Sequence, residues 1–536
     1  MRNFSTLFAA LALGVCGASA QTRYLDPLFQ VDVSADSSYG VNFTYLDIFL
    51  GLQGASPRLD TLTFRAYTPQ GDTATNRPVF IISHTGSYLP PLINGGLTGS
   101  YNDRAVIEFA SKLAARGYVV VTPNNRLGWA ATSQDIDVQT STLLLASYRG
   151  AQDMHTMARY LRKTVAEDDN PYGIDSNRIA VFGLGTGGYN ALNGNFVDNV
   201  EEVNRLDKLI NNQTNEPYLN PDVQGDPYGE VAAGTNNPNW VGYTNGFQFV
   251  AQAGGALGDS SWIDGNPIEA PVTSFHYTDD RNAPFGIENI TVPTTGNTVL
   301  QQGAGGRVVV EVANAIGLNA PFDNLNDSLL AADEELTLRV AELSDDAFTT
   351  PKGGFETTLA TPNFYPFVVP ADSRQANLYN WVDSAVLGPI ARQRFAAGQL
   401  PRSWQQLVDA ELVSNASIFD SATAARHQDT ILRFMLPRAY VALGLGTDVQ
   451  VSVDLAPAEV DLAISPNPAR DAAVVQVRRD VELTSVRLVN VSGQTVLTQR
   501  ASGSRVELDL AGLRPGLHYV LLQTDLGSVA QTLVVE

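Results

Sequence analysis

The segment that most restricts this chain runs from Asp175 to Tyr189, DSNRIAVFGLGTGGY. Ile179 to Phe182 is a continuous apolar run, as found in a strand covered on both faces. It leads into Gly183-Leu184-Gly185-Thr186-Gly187-Gly188. Glycines so dense allow a turn through positive φ and let neighbouring backbones approach closely. The pattern predicts a buried strand, a tight glycine turn, and a helix that starts beside it.

Further apolar runs are Leu62 to Tyr67, Pro78 to Ser83 and Tyr118 to Thr122. They alternate with helix-like stretches, Asp103 to Arg116 closed by Gly117 and about Ser147 to Ala166. Alternation of this kind predicts an α/β fold, a mostly parallel sheet flanked by helices. Residues 211–245 are rich in Asn, Pro and Gly and read as an insertion, either a lid beside a pocket or an irregular surface excursion. Between 371 and 446 the spacing turns helical, with Trp381, Leu387, Ile390 and Phe395, then Ile431, Phe434 and Met435. The last stretch has short alternating strands and Gly-bearing turns, the pattern of a β-sandwich. The expected division is an α/β body over 21–330, a helical extension packed on it over 331–448, a linker over 449–461 and a sandwich over 462–536.

The N-terminus reads as a leader. Arg2 precedes an apolar run from Leu7 to Val15, and Ala18-Ser19-Ala20 sets cleavage before Gln21. That run is far short of the ~20 residues a membrane span needs. Cys16 is the only cysteine and lies inside this leader. The remaining chain has no thiol for a disulfide, a nucleophile or a metal site. Five histidines without paired spacing point to no metal, and no phosphate-cradling Gly-rich motif points to a cofactor. The net charge of −22 disfavours nucleic acid and anionic membranes as partners.

In the final domain, Ser465-Pro466-Asn467-Pro468-Ala469, Leu488 to Gln494, and Leu508-Asp509-Leu510 with Leu513, Pro515-Gly516 and Tyr519 follow in order. These motifs resemble the type A sorting domains of the type IX secretion system. The resemblance implies an Ig-like sandwich read by the outer-membrane translocon, and a protein that is secreted or held at the cell surface. The ending Thr532-Leu533-Val534-Val535-Glu536 departs from the family by lacking a lysine before the last apolar pair.

The segment around Gly185 resembles the carboxylesterase nucleophile elbow, G-x-S-x-G-G, of α/β-hydrolases, with Gly183, Gly187 and Gly188 in place and Gly185 in the serine slot. His84-Thr85-Gly86 resembles the HGG oxyanion loop, with Thr85 replacing its middle glycine. Phe275 to Pro284 resembles the HGTxDxxVP loop and puts the catalytic acid at Asp280. The family's histidine follows the last strand, yet the first histidine after Asp280 is His427, on an expected helix. Thr186 could serve as nucleophile only if the elbow slid by one residue, and its β-branched side chain is poorly suited to positive φ. His155 and His518 read as structural.

Two of three triad positions thus depart from the family, and three functions stay open. One is a non-catalytic member that binds an ester, lipid or glycan in the old pocket. Another is an active esterase that uses Thr186, or a water activated by Asp280, with His84 or His427 converging. The third is a structural or adhesive surface protein.

Overall fold

The body's sheet grows from strands that have no exposed face to spare. In the computed structural model, which describes residues 22–292, 295–325, 361–445, 457–490, 495–513, 515–524, 526 and 528–536, every residue of β4 (Arg77–Ser83), β5 (Val119–Pro123), β7 (Phe249–Ala253) and β9 (Val272–Tyr277) is buried. With β1 (Val31–Val33), β2 (Ser37–Thr44), β3 (Arg58–Pro69), β6 (Ile174–Leu184) and β12 (Phe364–Phe367) they form a nine-stranded sheet in the order β1-β3-β5-β4-β6-β7-β9-β12, with β2 also on β3. The pairings from β5 to β12 are all parallel, and those of β3 are antiparallel. Strand order, parallel run and strand–turn–helix after β6 make this an α/β-hydrolase-type sheet. A smaller antiparallel sheet joins β8 (Ala256–Leu257), β11 (Thr298–Gly305) and β10 (Ile287–Thr291).

Local patterning misplaces two stretches. The helix expected from about Ser147 spans Ile136–Glu167, beginning where the Asp135 carboxylate accepts the Asp137 N–H. Gly150 inside it is a packing device, because a Cβ there would lie 2.6 Å from Asn190 Nδ2. The helical extension expected over 331–448 also contributes β12, which pairs with β9, so the sheet continues past residue 330. Four apolar residues are too short a run to reveal a strand when helices surround them. Three helices follow, Ser384–Ala396, Trp404–Ser414 and Ser421–Ala442. The first two close a small core with Leu92 and Leu97, on the loop that follows His84. Of the expected apolar positions, Ile390 and Phe395 are exposed, at 47% and 42%.

Residues 211–245 are fastened to the body. Asn237 and Asn239 bond to Val41 of β2, the Trp240 indole N–H donates to the Tyr39 carbonyl, and Arg159 and Arg162 hold the carbonyls of Tyr228, Asn239 and Thr244. These bonds tie the insertion to β2 and to the helix Ile136–Glu167.

The chain divides into two compact units, Met1–Leu443 and Gly444–Glu536. In the second, β13 (Ala463–Ser465), β14 (Ala472–Gln476) and β17 (Arg505–Asp509) form one antiparallel sheet. β15 (Leu483–Asn490), β16 (Thr495–Arg500), β18 (Gly516–Thr524) and β19 (Ser528–Val535) form the other. Val475, Leu483, Val486, Leu488, Leu508, Val520 and Leu533 fill the space they share. Among the described residues no helix is long and apolar enough to cross a membrane. The expected leader, Cys16 included, lies outside the described residues, as does most of the expected linker.

Candidate functional site

The turn after β6 has the expected tight shape. Gly185 sits at φ 54° and ψ −118°, and the helix Thr186–Phe196 starts at the next residue. The Gly185 N–H donates to the Ala253 carbonyl at 2.8 Å, which fixes the apex against β7. The flanking glycines are required by close approach. A Cβ on Gly183 would lie 2.6 Å from the Gly188 Cα, one on Gly187 would fall on the Ser83 carbonyl, and one on Gly188 would lie 2.9 Å from the Gly255 Cα.

The apex space is taken. A Cβ built on Gly185 would fall on Thr85 Oγ1 and 2.9 Å from Thr85 Cβ. Thr85 thus enters the space into which a side chain at 185 would project. Its neighbour His84 is buried, with Nδ1 donating to the Thr85 carbonyl at 2.5 Å, and burial holds the ring below the usual histidine range. Gly86 takes φ 136° and lies so close to Gly99 that a Cβ would come within 2.6 Å of its Cα. Thr186, half-buried at the helix start, offers its carbonyl to the Tyr88 hydroxyl at 3.2 Å.

Asp280 lies at the end of β9 with its side chain 1% exposed. Its Oδ1 accepts the Asn282 and Ala283 N–H groups at 2.7 and 3.2 Å. Burial outweighs these bonds and pushes its carboxyl up to about 7. The nearest histidine is His276 on β9 itself, whose Nε2 is 3.6 Å from Asp280 Oδ2. That ring is fully buried, its Nδ1 has no partner, and burial takes it down to about 4. His276 is locked inside the sheet and presents no face to a substrate.

The loop after β12, the edge strand beyond β9, brings Asn377 and Tyr379. The Tyr379 hydroxyl donates to Asn377 Oδ1 at 2.8 Å and lies 3.3 Å from the Ala253 carbonyl, the acceptor of the Gly185 N–H. Asn377 Oδ1 and Asp280 Oδ2 both flank Gly254, at 3.6 and 3.3 Å from the position of a Cβ there. Tyr379 therefore lies beside the elbow's anchor, and Asn377 near Gly254, which Asp280 also flanks. Burial, reinforced by the charge of Asp280, pushes the Tyr379 phenol above its ordinary value, so it stays protonated near neutral pH and is no base.

The structure keeps the other expected base on a different partner. His427 lies on Ser421–Ala442, its Nδ1 is 3.1 Å from the Tyr277 hydroxyl, and its ring packs on Phe367 at 4.9 Å. Burial, then the charge of Arg426, lowers it to about 4. His155 stacks on Phe247 at 5.1 Å inside the body, and His518 is buried in β18. The structure thus gathers Gly185, Thr85 and Asp280 at the ends of β4, β6, β7 and β9. Sequence reasoning missed Tyr379 and Asn377, whose signal was their place after the final strand.

Residues 463–536 match the model of the secretion system C-terminal sorting domain. This unit is a sorting domain. It directs type IX secretion, to the cell surface or the medium. No curated protein matches the chain in sequence. Solved structures similar to the body include the propionate-bound esterase Est2 of Thermogutta terrifontis, at 14% identity and a TM-score of 0.27, over 60% of this chain and 97% of that one. Another is an inhibited esterase B from Lactobacillus rhamnosis, at 17% identity and a TM-score of 0.24, over 48% and 68%. At such values the fold of the body rests on its own strand order.

Proposed function

We propose that this exported chain keeps an esterase frame that no longer hydrolyses esters and uses it to hold a small ligand. The observation that carries this reading is the occupied apex. Thr85 fills the space of a side chain at 185, and the nearby loop brings Tyr379 and Asn377 rather than a histidine. A hydrolase of this type needs a nucleophile and a base within about 3.2 Å of each other. Gly185 supplies no nucleophile. His84, His276 and His427 are each held on other partners, and burial keeps each of them neutral.

One observation favours a second reading. The Thr85 hydroxyl, which replaces the apex side chain in space, is itself an oxygen nucleophile beside a helix N-terminus. Turnover of short p-nitrophenyl esters by the full chain separates the two. The expected result is no turnover in the parent, in Thr186→Ala or in Gly185→Ser. A trace is expected only in Thr85→Gly/Gly185→Ser, of the size left to a site with binding groups and an incomplete triad, ~10³–10⁴-fold over water. Turnover by the parent that is abolished in Thr85→Ala or Thr186→Ala would overturn the non-hydrolytic reading.

A further inference from the structure

One cation deep in the body has no carboxylate of its own. Arg149, on the helix Ile136–Glu167, is 3% exposed. Its Nη2 donates to the Gly128 carbonyl at 3.1 Å, while its Nε is buried without a partner. Among the described residues it makes no ion pair. Asp153, one turn along the helix, is already taken: its Oδ1 accepts Arg126 Nε and its Oδ2 the Arg126 N–H, both at 2.7 Å. Burial, then the charge of Arg126, lowers Arg149 to about 10, so it keeps its charge near neutral pH. Two buried guanidiniums therefore share one carboxylate, and a positive charge is left over, whereas buried charges are normally paired.

What covers Arg149 is light. Tyr45 and Phe49, both half-buried, stack at 6.2 Å at the start and end of the short helix Leu46–Phe49, none of whose residues is buried. The guanidinium carbon lies 5.5 Å from the centre of the Tyr45 ring, close to the ~6 Å limit of a cation–π contact. Phe49 leans over Gly128: a Cβ there would lie 2.7 Å from Phe49 Cδ2 and 3.4 Å from Arg149 Nη2. The missing side chain of Gly128 is what lets ring and guanidinium meet. The charged tie of this helix to the body is the partly exposed pair Asp47–Arg58, at 2.8 Å, of a kind that contributes little. A guanidinium is a planar fork whose donors match the two oxygens of a carboxylate, and Nε is a free donor of that fork. The Tyr45 and Phe49 rings beside it suit an apolar tail.

We propose that Arg149 binds a small monocarboxylate with an apolar tail, which enters as Tyr45 and Phe49 lift and takes the place of the Tyr45 ring on the guanidinium. The exchange replaces a weak ring contact by a charge-assisted hydrogen bond. This site lies beside the loop after β5, away from the elbow, and stands whether or not the elbow hydrolyses esters.

The test is calorimetric titration of the full chain in chloride-free buffer with butyrate and benzoate, beside benzamide and chloride. At least one of the two acids should bind saturably, with Kd below about 1 mM. Arg149→Met should weaken that binding at least about tenfold, as loss of a charged hydrogen-bond partner does. This variant leaves the Arg126–Asp153 pair whole, and melting within about 2 °C of the parent shows that it folds. Tyr45→Ala, at a half-buried position, tests the cover without touching the cation. In it the acid should associate at least about tenfold faster in stopped-flow mixing, because entry no longer waits on the ring. Benzamide binding as tightly as benzoate would overturn the proposal in favour of an apolar slot, and chloride binding as tightly would do so in favour of a simple anion site. No saturation by either acid at about 10 mM, affinity unchanged in a folded Arg149→Met, or an association rate unchanged in Tyr45→Ala would each overturn it as well.

Discussion

Gly185→Ala measures how firmly Thr85 holds the apex space. The new Cβ falls on Thr85 Oγ1 and 2.9 Å from Thr85 Cβ, whereas ordinary contact lies at 3.4–4 Å. Thr85 is short and β-branched, with few χ1 alternatives through which to withdraw. Overpacking of this kind costs about 1–3 kcal/mol. A second cost comes from the backbone, since an L-residue forced into φ 54°, ψ −118° occupies a sparsely populated region, worth about 1–3 kcal/mol. Only the first cost depends on Thr85. Thr85→Gly should therefore return about 1–3 kcal/mol of the loss, visible as coupling in a double-mutant cycle. All five tryptophans, Trp129, Trp240, Trp262, Trp381 and Trp404, precede residue 444, so fluorescence during urea unfolding reports the body apart from the sorting domain. Two substitutions that add within about 0.5 kcal/mol would refute the assignment of Thr85 to the apex space.

Gly187→Ala meets backbone on one side, the Ser83 carbonyl and the His84 carbonyl at 2.9 Å, so it should cost about 3 kcal/mol or more in the same unfolding assay. Arg126 and Asp153 form a 2.7 Å ion pair with each side chain 1% exposed. Arg126→Met should destabilise the body by about 3–5 kcal/mol, and Arg126→Met/Asp153→Leu should recover most of that, because the single change strands a buried charge. For pH, the folded-state pKa of Asp280, about 7, lies above the unfolded value near 3.9, so its favourable contribution is complete below pH ~4 and is lost as pH rises through about 7. Asp280→Asn should then gain stability relative to the parent between pH 4 and 7, by at most about 1.4 kcal/mol per pH unit. A difference that stays flat across that window would count against the raised carboxyl. His276, lowered to about 4, has the opposite sign: its contribution is present above pH ~6.5 and is lost as pH falls through about 4, so a neutral substitute there should flatten the acid limb.

The parts of the site that were legible in the sequence are those set by local geometry. Gly183, Gly185, Gly187 and Gly188 announce a tight turn because only glycine tolerates the φ of the apex and the close approach of Ser83 and Gly255. Asp280 was pointed to by the resemblance of Phe275 to Pro284 to an acid-bearing loop, and the structure sets it just after β9. β12 was hidden by its length, four residues whose strand character comes from pairing with β9 rather than from their own pattern. With β12 unseen, the loop after it could not be recognised as the one facing the elbow, and Tyr379 and Asn377 went unread. His427 was in reach by sequence order alone, but its helix turns the ring to Tyr277 and Phe367.

By itself, the sequence determined the buried strands, the glycine turn without a nucleophile, and a sorting domain recognisable from motifs in order. These are properties of a few consecutive residues, governed by backbone sterics and by the periods of side-chain burial. Only the tertiary structure decided that Thr85 enters the space of residue 185 and that the Tyr379 hydroxyl reaches the carbonyl that anchors the elbow. Those meetings join segments roughly a hundred residues apart, and no local preference encodes them. They are settled by which side chains a closely packed sheet end has room to admit.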